Sequence, residues 1–180
     1  MQFPHLLTLD VLATEQGLIP TAIAWTLRDG QYKSVFIRPE DQWLEELYQQ
    51  ASSMDISPEH LLEQGQSALD IARELEHDLE QGELYCQDPD SIEQALEAIF
   101  AAAGQDNACQ CLPWLELFHG WTADELAERQ RDQVDLLGLS MATAEEQLLV
   151  MRSLWAHENE PHDPTAIWHL HDGLAESDEH

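Results

Sequence analysis

HLLTLDVLATEQGLIPTAIAWTLRDGQYKSVFIRP, residues 5–39, is the stretch that decides the fold. It contains three apolar runs of strand length, 5–13, 19–27 and 32–39, and the last two are separated by Asp29-Gly30. Asp-Gly between apolar runs is a strong hairpin signal, because glycine takes the positive φ that a tight turn demands. The segment therefore predicts an antiparallel meander of three strands.

Outward from the meander the period changes to that of helices. One helix is expected over about 42–50, and another opens at Ser57-Pro58, where serine caps and proline fits the first turn. In residues 67–82, Ala68, Ile71, Ala72, Leu75 and Leu79 recur at spacings of three and four between Ser67 and Gly82. ELYC, 83–86, reads as a short buried strand. A helix capped by Ser91 follows, burying Ile92, Ala95, Leu96, Ile99, Phe100 and Ala103, and NACQCL, 107–112, reads as the last strand. Thr122 and Glu125 have capping-box spacing, and a final helix begins at about Thr143. Strands alternating with helices after a meander predict an α/β domain: a mixed five-stranded sheet flanked by helices over residues 1–156. Residues 157–180 are polar, acidic and contain His162, His169, His171 and His180; they read as a tail that docks, if at all, through Ile167 and Trp168.

Composition bounds the function. A hydrophobic fraction of 43% with six tryptophans supports a packed core, and the tryptophans read as packing because nothing basic is interleaved with them. No run approaches the roughly 18 apolar residues of a membrane helix, and the first residues carry no basic leader, so a soluble cytoplasmic protein is expected. Cys86, Cys109 and Cys111 form no CxxC pair and read as buried thiols. Seven Lys plus Arg against 36 Asp plus Glu give a formal net charge of −29, and Lys33 is the only lysine. Such a surface repels polyanions and disfavours nucleic acid. It suits either a basic protein partner or adaptation to high salt.

The element order, with LLTLDVLATEQG, FIRPEDQW, ISPEHLLEQGQSALDIARELEHDL, LYCQDPDSIEQALEAIF and GLSMATAEEQLLVMRSLW, resembles the DEDD (DnaQ-like) 3′-to-5′ exonucleases over about residues 5–155. The resemblance implies an RNase H-like fold and a site in which four carboxylates hold two divalent ions, which activate water and stabilise the leaving oxygen. It places Asp10 on the first motif aspartate and Leu12 on the glutamate two residues later. Ile92 falls where the second-motif aspartate belongs, with Asp88 and Asp90 just upstream. Glu145 falls on the third-motif aspartate, and Ser140 on the general-base histidine. Serine has no suitable pKa for that role near neutral pH.

Two functions follow. The first is a degenerate exonuclease-like domain without nuclease activity and without a cofactor, acting as a binding or regulatory module through its acidic surface. The alternative is an active 3′-to-5′ exonuclease with a rearranged site, Asp10 and Glu145 joined by Asp88 or Asp90 around Mg²⁺ or Mn²⁺. A weaker possibility is carboxylates that mimic DNA toward a nucleic-acid-binding partner.

Overall fold

The meander forms as the alternation predicts. In a computed structural model describing residues 2–15, 17–79 and 83–159, β1 (Leu7–Thr14) pairs antiparallel with β2 (Gly17–Thr26), and β2 with β3 (Tyr32–Phe36). The turn between β2 and β3 closes through Leu27 N–H on the Gln31 carbonyl at 2.7 Å and Gly30 N–H on the Leu27 carbonyl at 3.0 Å. Gly30 has φ 84°, and a Cβ there would meet the Phe3 ring at 3.3 Å, so glycine is required twice over. Between Asp10 and Val11 the register slips: Asp10 faces Ala22 but Val11 faces Pro20. Thr21 is left as the bulged residue, which tolerates the neighbouring proline in a central strand.

β4 (Glu83–Cys86) and β5 (Gln110–Pro113) pair in parallel and form a second sheet. The expected single five-stranded sheet is therefore replaced by a three-stranded and a two-stranded sheet. They meet at one isolated bridge, Leu6 to Tyr85, with Tyr85 N–H donating to the His5 carbonyl at 2.8 Å. Before β1, Leu6 N–H is taken by Thr26 Oγ1 at 2.8 Å and its carbonyl by Thr26 N–H at 3.0 Å, both on the β2 side.

The six α-helices among the described residues are α1 (Asp41–Gln49), α2 (Pro58–Gln64), α3 (Ala68–Leu79), α4 (Pro89–Ala102), α5 (Ala123–Leu137) and α6 (Ala144–Asn159). Ser57 caps α2 by accepting His60 N–H, Ser67 accepts Asp70 N–H at the head of α3, and the Thr122–Glu125 capping box opens α5. α4 starts earlier than its apolar pattern suggests. Asp88, not Ser91, is the cap, because Pro89 fits the first helical position and Ser91 turns its hydroxyl back to Asp88 at 2.7 Å. β5 starts later than expected. Asn107 Oδ1 accepts Cys109 N–H at 3.0 Å, an Asx turn that keeps Cys109 out of the strand. α6 runs through His157 and Glu158 to Asn159, into what the sequence assigns to the tail. His162, Ile167, Trp168, His169, His171 and His180 lie outside the described residues.

The meander buries both faces. On one, Leu7, Leu9, Ile23 and Trp25 pack with Ile71 and Leu75 of α3 and with Ile92, Leu96 and Phe100 of α4. Each such side chain, withdrawn from water, contributes about 1.5–3 kcal/mol before chain entropy is set against it. Cys86 and Cys111 lie in this core, and burial pushes the neighbouring Cys109 thiol up to about 11. On the other face, Leu6, Ala22 and Ala24 meet Leu148, Met151, Leu154 and Trp155 of α6 with Trp114 and Phe118. α5 lies on α6.

Lys33 of β3 ties the meander to α3, reaching Glu74 at 3.0 Å and Asp78 at 2.8 Å. Trp25 Nε1 donates to the same Asp78 at 2.9 Å, and the ammonium stands 5.7 Å from the Trp25 ring. Asp78 beside it, with Glu74, holds the Lys33 ammonium above the ordinary lysine range. No helix among the described residues is long and apolar enough to cross a membrane.

Candidate functional site

Asp10 belongs to the face of β1 that meets α6. Its Oδ2 accepts Ala144 N–H at 2.9 Å, and Thr8 Oγ1, one strand repeat away, donates to the Ala144 carbonyl. β1 thus grips the first residue of α6 by both of its backbone groups. Ala144 N–H is one of the donors that a helix leaves without an internal partner, so the aspartate acts as a long-range cap. Partial burial raises the Asp10 pKa, the Ala144 hydrogen bond opposes that rise, and the carboxylates of Asp55 and Glu146 add to it. Leu12, on the same strand face and half-buried, pairs with Ile19 and supplies no oxygen.

The other motif positions are drawn elsewhere. Glu145 Oε1 accepts the Tyr32 hydroxyl at 2.9 Å, tying α6 to β3. Burial first, then that carboxylate, pushes the Tyr32 phenol up to about 12, and the Arg152 guanidinium lies 5.7 Å from its ring. Ser140 donates to Glu146 Oε2 at 2.5 Å, and the same oxygen accepts Ala142 N–H at 3.0 Å. The Ser140 hydroxyl, with these backbone donors, holds Glu146 below the usual carboxylate range. Ser140 therefore staples the loop at the head of α6, a loop in which Met141 has φ 61°.

Asp88 is committed to Ser91 at the head of α4, and Asp90 is exposed in the first turn. Ile92 is 9% exposed and packs among Leu7 and Leu9, on the face of β1 opposite Asp10.

The carboxylates that the resemblance groups into one site are thus bonded to different partners: Asp10 to Ala144 N–H, Glu145 to the Tyr32 hydroxyl and Asp88 to Ser91. Those that lie near Asp10 are Asp55 and Glu146. Glu146 was within reach of sequence reasoning, since Thr143 and Glu146 have the spacing of a capping box, and Glu146 N–H donates to Thr143 Oγ1 at 3.2 Å. Asp55 belongs to no motif, and only the fold brings it there. Two-ion catalysis asks for several carboxylates converging on ions about 3.5 to 4 Å apart. The motif residues do not fit that requirement, and among the described residues no group of three or more His, Cys, Asp or Glu is placed to hold a metal ion.

No protein-family model matches the sequence, and no curated protein matches it. Solved structures do match in fold. E. coli exonuclease I in complex with a dT13 oligonucleotide is similar with a TM-score of 0.58 at 11% identity, over 93% of this chain and 43% of that one. A product-bound exonuclease I structure gives 0.55 at 14% identity, over 96% and 46%. A chain of the structure of the yeast NOT1 MIF4G domain co-crystallized with CAF1 gives 0.54 at 11%, over 86% and 77%. The fold is exonuclease-like. This chain spans less than half of the exonuclease I chains it resembles.

Proposed function

We propose that the chain is a degenerate DEDD exonuclease domain, RNase H-like in descent, that has no nuclease chemistry and serves as a binding or regulatory module. Its acidic surface is offered to a basic protein. One observation carries the reading: the carboxylates at or beside the motif positions have structural work, Asp10 on Ala144 N–H, Glu145 on the Tyr32 hydroxyl and Asp88 on Ser91. Leu12 and Ile92 supply no oxygens, and Ser140 is bonded to Glu146. The charge of −29 supports the choice of a basic partner over a nucleic acid. Exonuclease folds do occur with protein partners, as in an exonuclease I complex with SSB-Ct.

The test is digestion of end-labelled single-stranded DNA and RNA with Mg²⁺ or Mn²⁺ at millimolar concentration. The expected outcome is intact oligonucleotide. Metal-dependent shortening that disappears in Asp10→Asn would overturn the proposal in favour of the rearranged exonuclease.

A further inference from the structure

We draw no further inference here: the strongest candidate, the outer edge of β3, where the backbone groups of Tyr32 and Ser34 face away from β2, carries nothing because nothing in the structure shows what covers it.

Discussion

The two faces of the meander are held by different physics. Toward α3 and α4 the buried core is apolar, with Trp25, Ile71, Leu75, Leu84, Leu96 and Phe100 at or near zero exposure, and the polar ties, from Lys33 and Trp25 to Glu74 and Asp78, join side chain to side chain. Toward α6 an apolar core also exists, but its margins are polar. Thr8 and Asp10 hold Ala144, and Tyr32 holds Glu145. Asp10 and Glu145 are on the second face, where they act as stitches between strand and helix. Polar groups can be absorbed into a packed seam when each finds a hydrogen-bond partner.

Breaking the first face should have the largest effect. Phe100→Ala removes a fully buried ring and is expected to cost about 3–5 kcal/mol, read as a lowered denaturation midpoint with little change in slope. Tyr32→Phe cuts one stitch on the second face. It is expected to cost about 1 kcal/mol, lowering Tm by roughly 2–4 °C for a domain of this size, with Glu145 left free to reach water.

The smallest change is at Asp10, and its sign is opposite. The folded pKa of Asp10 is raised, so the group favours the fold below its ordinary value of 3.8, and that contribution is lost as pH rises through the raised value. Asp10→Asn keeps an oxygen for Ala144 N–H and removes the charge near Asp55 and Glu146. It should therefore raise Tm slightly at pH 7, and the gain should vanish as pH falls below the carboxylate range. Parallel melting curves for both proteins across pH 3–7 decide it; a loss of stability at pH 7 would mean that the cap outweighs the burial of charge.

The same division explains what the sequence could tell. The first face was legible because Ala68 to Leu79 and Ile92 to Phe100 repeat at helical spacing, and Asp29-Gly30 closes the meander. Caps whose partner lies three residues on, at Ser57, Ser67 and Thr122, were equally plain. The head of α4 misled because Asp88 and Ser91 are both competent caps, and Pro89 decides between them. The second face was not legible. Asp10 and Ala144 are 134 residues apart, and Tyr32 and Glu145 are 113 apart, so no local period records either contact. Asp10 and Glu145 were found as motif positions, but what each oxygen binds depends on how α6 lies against β1 and β3.

Lys33 has a consequence for anyone handling the protein. It is the sole lysine, it is fixed between Glu74 and Asp78, and its ammonium is held in the protonated, non-nucleophilic form. Amine-directed dyes, cross-linkers and acyl donors thus find one side-chain amine, and its reaction is slowed by the two carboxylates that hold it protonated. Side-chain labelling is therefore confined to one address, on β3 beside α3.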